Sequence, residues 1–292
     1  MIKVLVPVVF SEFSLNALTF GMSLAEKVQA EITILHCLPI IETKEDLVST
    51  KEVSEFGVDS FQFPTKMNEE EIIEKLQLLT QQKVDSLREV QKNNILIKYR
   101  VEYGYPEDVI PNVCAENRCD VVIMGTKTKN ETLKELLGNV TNDVIHKVTV
   151  PVLAIPAHST IDLTQIGKML FLTEFKEQDY FSMDRLIRIL AAFDTEIHAI
   201  HFCRKQEDDQ DINRMEQFKL YCESTYRNHK ILFRNFTGEE FITTLEKYVT
   251  ENGIDILAMT HKKRNILQRL FKTEKTKKML FHTDIPLLVF HS

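Results

Sequence analysis

An internal repeat constrains the fold of this chain more than any other feature of its sequence. Residues 3–36 align without a gap onto residues 168–201, an offset of 165, and Phe10 falls on Phe175 within that frame. Self-similarity at a constant offset is the signature of a repeated structural unit. With 292 residues, the chain is also long enough to divide its core between two units. The repeat therefore predicts two domains of the same fold.

The repeat continues near the end of each copy at a shorter offset. Residues 120–124 align onto residues 255–259, an offset of 135. The residues that account for this change must lie in the middle of the first copy, where the polar stretch 41–67 shows no sustained period. We expect domain 1 to span residues 1–157, with an insertion at about 41–67, and domain 2 to span residues 165–292.

Short apolar runs rich in β-branched residues alternate with longer segments of helical period in both copies. The runs predict ten strands, near residues 4–8, 32–38, 95–101, 121–124, 152–155, 169–172, 197–202, 231–235, 256–259 and 287–290. The helical periods of the first copy cover residues 14–28, 69–92, 106–116 and 133–147. Apolar strands that alternate with helices indicate parallel sheets covered on both faces. The predicted fold class is α/β, with two doubly wound parallel-sheet domains in tandem.

Composition and charge limit the compartment and the partners. The N-terminus lacks a basic leader followed by an apolar run, and no stretch reaches about 18 apolar residues, so we expect a cytoplasmic protein without a membrane partner. Five scattered cysteines within apolar segments suit reduced thiols in a reducing compartment. The formal net charge of −7 argues against a nucleic-acid partner, because binding to phosphate backbones is built from clustered Lys and Arg.

The segment after the fourth predicted strand resembles a known nucleotide-binding motif. It begins with Gly125 in segment 125–128, and after nine further residues Gly138 opens segment 138–141; a last strand then begins Pro-Val-Leu at 151–153. This pattern resembles the universal stress protein family, whose ATP-binding members carry G-x2-G-x9-G-[S/T] at this place. The resemblance implies a universal-stress-protein, adenine-nucleotide α-hydrolase-like fold for both domains.

Three positions depart from the ATP-binding pattern of that family. Thr128 replaces the second glycine, and its Cβ narrows the approach of a phosphate to the loop amides. Asn139 replaces the Ser or Thr that follows the last glycine, and Val9 stands where the family carries an acid that contacts the nucleoside. The resemblance implies a weakened pocket for ATP or ADP, with Mg²⁺ if ATP binds. Its candidate residues are Pro7, Val8, Val9, Met124, Gly125, Lys127, Gly138, Asn139, Val140 and Thr141. The alternative is that these glycines serve only helix and sheet packing.

The second copy has lost more of the motif. Thr260 stands in place of Gly125, and no glycine follows it before the last strand, so a glycine loop for phosphate is not expected there. Glu174 does supply an acid at the position of Val9. A basic cluster follows Thr260, and its candidate anion-binding residues are Lys262, Lys263 and Arg264. A solvated helix face is the alternative interpretation of this cluster.

Other combinations of residues give weak signals. His36 with Cys37 and His201 with Cys203 lie at equivalent strand ends, but a metal site needs a convergence that the spacing does not establish. Hydrogen-bonded structural histidines are the favoured interpretation, and no metal site is predicted. No motif nominates a nucleophile or a general base, so no catalytic residue is predicted and a binding protein is favoured over an enzyme.

The resemblance implies a stress-response protein that acts through ligand binding and contacts with an unidentified protein partner. A nucleotide or another small molecule is expected to bind in domain 1. The last strands of the two domains are expected to pair as an intramolecular pseudo-dimer, which leaves a dimer between chains open. A nucleotide-independent scaffold, a protein that binds another small molecule or anion, and a slow ATPase are the alternatives.

Overall fold

A computed structural model of the chain describes residues 1–38, 40, 68–88, 95–126, 133–157, 159, 166–203, 209–237, 241–261 and 285–291. Ten strands lie within these residues. They are β1 (Lys3–Pro7), β2 (Glu31–Leu38), β3 (Leu96–Tyr103), β4 (Val121–Thr126), β5 (Val152–Pro156), β6 (Lys168–Leu172), β7 (Glu196–Cys203), β8 (Ile231–Thr237), β9 (Ile256–His261) and β10 (Leu287–His291). Each of the ten runs predicted as a strand falls on one of them.

The described strands form one sheet in the order β3-β2-β1-β4-β5-β10-β9-β6-β7-β8. Read from its outer edge to the centre, each half of the sheet has the same order, with every strand number of the second half raised by five. Among these strands, β5 and β10 are antiparallel neighbours and the remaining pairs are parallel. The two halves therefore meet where Leu153 lies opposite Leu288.

Seven helices are described, and they cover both faces of the sheet. They are α1 (Glu12–Val28), α2 (Glu69–Arg88), α3 (Pro106–Asn117), α4 (Leu133–Lys147), α5 (Glu177–Ile189), α6 (Asp209–Thr225) and α7 (Phe241–Asn252). Buried side chains of α1, α2, α5 and α6 belong to the core on one face, and those of α3, α4 and α7 belong to the core on the other. Each core contains residues from both halves, so each face of the sheet is covered continuously.

Local sequence signals explain where several helices begin. Ser11 precedes α1, and its hydroxyl accepts a hydrogen bond from the backbone N–H of Ser14 at 3.4 Å, which satisfies one of the free amides of the first turn. Pro106 occupies the first turn of α3, where its missing N–H costs nothing, and Glu107 and Asp108 follow it. These are the residues from which the sequence predicts the start of that helix.

The predicted fold class is confirmed, because the chain forms a mixed α/β structure with a mostly parallel sheet. The predicted insertion at 41–67 lies outside the described residues. All five cysteines are buried, and none forms a disulfide. Among the described helices, none combines the length and the apolar character that crossing a membrane requires.

The contact between β5 and β10 gives a first testable prediction. Leu153 and Leu288 face each other across the two halves and are both buried in the same core. Leu153→Ala and Leu288→Ala should each lower the free energy of unfolding by about 2–5 kcal/mol, because each leaves a cavity in a packed core. Urea denaturation of the full chain measures this change.

The double variant tests whether the two leucines act as one contact. Because they are direct partners, the loss in the double variant should differ from the sum of the two single losses by at least about 0.5 kcal/mol. Leu78→Ala is the control, since Leu78 is 61% exposed on α2 and its truncation should change stability by no more than about 0.5 kcal/mol. Strictly additive losses would contradict the contact.

Candidate functional site

The carboxyl ends of β1 and β4 lie side by side where the connections of the first half diverge. The two strands are parallel neighbours, with Val4 opposite Val121 and Leu5 opposite Val122. From β1 the chain crosses through α1 to β2 on one side, and from β4 it passes through α4 to β5 on the other. Ligands of doubly wound sheets bind in the crevice outside such a switch point. The topology therefore marks this edge as the candidate site.

Half of the predicted site residues gather at this edge. They are Pro7, Val8, Val9, Met124 and Gly125. Val8 and Met124 are buried, whereas the other three keep part of their surface exposed. A ligand at this edge would therefore meet Pro7, Val9 and Gly125 first.

The other predicted residues lie beyond β4. Gly138 and Asn139 lie inside α4, which already begins at Leu133, and Val140 and Thr141 continue the same helix. The backbone N–H groups that lack an intrahelical partner belong to the first turn of a helix. The amides at 138 and 139 are thus placed past the turn that would bind a phosphate. Lys127 lies outside the described residues.

Gly125 is required by packing as well as by any ligand. A Cβ at this position would lie 2.1 Å from the backbone oxygen of Phe13 and 2.9 Å from the backbone nitrogen of Ser14. The end of β4 is therefore pressed against the first turn of α1, and neither of these backbone atoms can move aside as a flexible side chain would. This contact gives Gly125 a structural role that does not depend on a nucleotide.

A buried histidine of β2 lies beside the carboxyl end of β1. The Nδ1 of His36 lies 2.7 Å from the backbone oxygen of Val8, and a carbonyl can only accept, so Nδ1 carries the proton. Nε2 is then an acceptor, and within the described residues it has no hydrogen-bond partner. Burial lowers the pKa of His36 below its ordinary value of 6.5, against the opposing effect of the Val8 hydrogen bond, and the Lys75 charge lowers it further. The imidazole is therefore held neutral.

Phe10 covers this histidine from the loop that follows β1. Its φ is 57°, a left-handed conformation that is uncommon for a residue other than glycine. The Phe10 ring centroid lies 5.0 Å from that of His36, and the Lys75 amino group lies 4.2 Å from the Phe10 ring centroid. The aromatic ring thus lies close to both a neutral imidazole and an ammonium group, and it attracts the ammonium group.

The second half repeats this arrangement at the predicted offset of 165. Phe175 has a φ of 52°, and its ring centroid lies 5.7 Å from that of His201. The Nδ1 of His201 donates to the backbone oxygen of Thr173 at 2.9 Å, as His36 does to Val8. The sequence favours a hydrogen-bonded structural histidine at both positions, but the spacing along the chain does not identify the two carbonyl acceptors.

The second-half edge that corresponds to the candidate site is filled by a buried carboxylate. Asp179 accepts hydrogen bonds from the hydroxyls of Thr260 at 2.7 Å and Thr173 at 2.9 Å, and from the backbone N–H groups of Glu174 and Lys176 at 2.9 and 3.1 Å. A bound anion would have to displace this carboxylate from its donors. Asp179 was missed by the sequence analysis, because an acid in the first turn of a helix is most often a simple cap.

The remaining acid of the second half is also paired. Glu174, which stands at the position of Val9, forms an ion pair with Lys176. The candidate anion-binding residues Lys262, Lys263 and Arg264 lie outside the described residues. In the described part of this edge, the carboxylates of Asp179 and Glu174 are thus both engaged by groups of the protein itself.

The strand order and the switch point define a protein of the doubly wound α/β class, with a candidate site for a ligand at one edge of its first half. The profile of the universal stress protein family matches residues 1–156, which is more than half of the chain. The chain belongs to the universal stress protein family.

Several proteins are similar to this chain in sequence or in fold. A universal stress protein of Methanocaldococcus jannaschii is 28% identical over 155 residues, which are 52% of this chain and 93% of that relative. The crystal structure of a universal stress protein from Archaeoglobus fulgidus covers 99% of this chain and 96% of its own, with a TM-score of 0.66 and 15% identity. A putative universal stress protein from Pseudomonas aeruginosa covers 99% and 92%, with a TM-score of 0.53 and 12% identity. At these identities, the two structures show the fold alone.

The Asp179 network predicts the effect of removing one donor. Thr260→Val keeps the shape of the side chain but removes its hydroxyl from a buried carboxylate. The free energy of unfolding should fall by about 1–3 kcal/mol. Thr243→Val, at an exposed position of α7, is the matched control and should change it by no more than about 0.5 kcal/mol. Equal effects in urea denaturation would contradict the role of Thr260.

The lowered pKa of His36 predicts a pH dependence of stability. Since the folded state disfavours its protonation, the unfolded state binds more protons below about pH 6.5, and stability is lost as the pH falls through and below that value. Burial also lowers the pKa of His198, so a smaller slope should remain when His36 is replaced. Thermal unfolding of the wild type and of His36→Gln between pH 8 and 5 measures the slopes; equal slopes would refute the assignment.

Proposed function

We propose that this chain is a ligand-responsive binding protein of the universal stress type, with residues 1–157 and 165–292 as its two domains. In this proposal, an adenine nucleotide binds in domain 1 at the carboxyl ends of β1 and β4. The observation that carries the proposal is the Nε2 acceptor of His36, which is buried at this edge and has no hydrogen-bond partner among the described residues. A buried acceptor without a partner is costly, and a ligand that donates to it would recover that free energy.

The chemistry of the edge suits the parts of an adenine nucleotide. The exocyclic amino group of adenine is a donor that a neutral imidazole acceptor can bind. Val9 and Phe10 are partly exposed and apolar, which suits the flat face of the base. Lys75 places an ammonium group beside Phe10, where a phosphate would gain from its charge. The weak element is Val9, since it leaves the nucleoside without the acid that the ATP-binding pattern of the family supplies.

A nucleotide-independent scaffold is the second candidate, and Gly125 favours it. Its close contact with the Phe13 backbone explains the glycine without any ligand. The placement of Gly138 and Asn139 inside α4 also leaves their amides away from the first turn of that helix. In this candidate function, the edge is a packed remnant of a binding site and the protein acts through contacts with other proteins.

Substitutions at Val9 distinguish the two candidate functions, because one of them should strengthen nucleotide binding. Val9→Asp should strengthen binding of ATP or ADP by at least about tenfold, because a carboxylate adds a charge-assisted hydrogen bond to the nucleoside. Val9→Phe should weaken binding by filling the edge, and Val9→Leu is the apolar control. Isothermal titration calorimetry of the full chain measures the affinities, and mass spectrometry of freshly purified wild type identifies any ligand that it carries.

The outcomes decide between the candidates. Nucleotide binding by the wild type that rises in Val9→Asp and falls in Val9→Phe would support the site. Folded wild type and folded Val9→Asp that both fail to bind ATP or ADP would overturn the nucleotide proposal and leave the scaffold.

A further inference from the structure

Two side chains at the end of β7 point to the same face of the sheet. His201 and Cys203 are two residues apart on this strand, and side chains at that spacing share a face. The face is the one that α6 covers, and Asp211 lies in the first turn of that helix. Strand and helix thus bring an imidazole, a thiol and a carboxylate to one place.

The distances between these groups are those of a set of metal ligands. The Nε2 of His201 lies 3.7 Å from one carboxylate oxygen of Asp211, and the Sγ of Cys203 lies 3.4 Å from the other. One ligand atom from each of the three residues lies within 4.8 Å of the other two. Ligand atoms around a tetrahedral Zn²⁺, at metal distances of about 2.0–2.3 Å, are separated by roughly 3.3–3.8 Å. Small rotations of the side chains would therefore complete the geometry.

The backbone already orients the imidazole for metal binding. The Nδ1 of His201 donates to the carbonyl oxygen of Thr173 at 2.9 Å, which leaves the lone pair of Nε2 on the side of Asp211. A hydrogen bond from the other ring nitrogen to a carbonyl is the usual support of a metal-binding histidine. The site is also shielded, since Cys203 is 6% exposed and the side chains of His201 and Asp211 are 12% and 19% exposed.

The first half provides an internal comparison. His36 makes the same bond to a β1 carbonyl, but the position that corresponds to Cys203 is Leu38. Cys37 is adjacent to His36, so it points to the opposite face and belongs to the other core. The spacing along the chain left open whether either His–Cys pair faces the same side of the sheet. His201 and Cys203 do so, whereas His36 and Cys37 face opposite sides.

We propose that His201, Cys203 and Asp211 bind a divalent transition-metal ion, and that Zn²⁺ is the ion this ligand set favours. Mixed nitrogen, sulfur and oxygen ligands suit Zn²⁺, whereas oxygen ligands alone suit Mg²⁺ and Ca²⁺. Three protein ligands leave the fourth position of the ion to a water molecule. This site is separate from the proposed nucleotide site, which lies in the other half of the sheet.

A metal ion at this site competes with a proton and with an arginine side chain. The Cys203 thiol releases its proton when its sulfur binds the ion, so affinity rises with pH. Arg214 competes for the same carboxylate, because its guanidinium lies 3.6 Å from the Asp211 oxygen that faces His201. The bound ion would tie the end of β7 to the first turn of α6 and would stabilise the folded chain in proportion to its free concentration.

Titration of the full chain with Zn²⁺ and Co²⁺ tests the proposal. After treatment with a chelator and dialysis, the protein should bind one equivalent of Zn²⁺ in competition with a chromophoric chelator. Co²⁺ in the same site should show a thiolate-to-cobalt charge-transfer band and the visible bands of a tetrahedral ion. Cys203→Ala and Asp211→Asn should each weaken Zn²⁺ binding by more than about tenfold, because loss of a ligand exceeds the effect of its supporting residues.

Matched variants control for loss of a thiol and of a helix-terminal charge. Cys37→Ala removes another buried thiol, and Asp209→Asn removes an exposed acid from the same turn of α6, so both should keep wild-type affinity. Arg214→Gln should bind Zn²⁺ more tightly. Wild type that binds no Zn²⁺, a Co²⁺ spectrum without the thiolate band, or unchanged affinity in Asp211→Asn would each overturn the site. The Co²⁺ spectrum needs no variant, so the test stands even if Cys203→Ala fails to fold.

Discussion

The antiparallel pairing of β5 with β10 is the interaction on which the rest of this structure depends. All but the last residue of each strand is buried, so neither could remain as an open edge without exposing apolar side chains and unpaired backbone groups. Pairing them turns two five-stranded halves into one sheet. The helices on each face then bury a core that runs through both halves, in which Phe171 and Phe290 pack edge to face.

One backbone frame supports different chemistry in the two halves. Where the first half has Gly125, the Phe13 backbone fills the space that a side chain would need. Where the second half has Thr260, the hydroxyl occupies that place and binds Asp179. At this position in the fourth strand of each half, the glycine thus admits a neighbouring backbone, whereas the threonine joins a buried network of hydrogen bonds. Within the described residues, this difference favours the edge of the first half as the candidate nucleotide site.

The equivalent histidines His36 and His201 also differ in their surroundings between the two halves. Both donate from Nδ1 to the carbonyl after the neighbouring strand, which presents Nε2 to the face that carries the first helices. In the first half that nitrogen lies under Phe10, whereas in the second it lies beside Asp211 and on the same face as Cys203. The two halves thus share one tautomer, and the surroundings of Nε2 suggest an organic ligand in the first half and a metal ion in the second.

The sequence by itself determined the α/β class and the ten strands, because both can be read from the period of apolar residues and the offset of the repeat. It also predicted an edge for ligand binding in the first half. It did not determine that Gly125 packs against Phe13, that Asp179 fills the second-half edge, or that His201 and Cys203 converge with Asp211. Those contacts were decided by the tertiary structure. They depend on how closely each helix approaches its strand and on which face a side chain leaves the sheet, and spacing along the chain specifies neither.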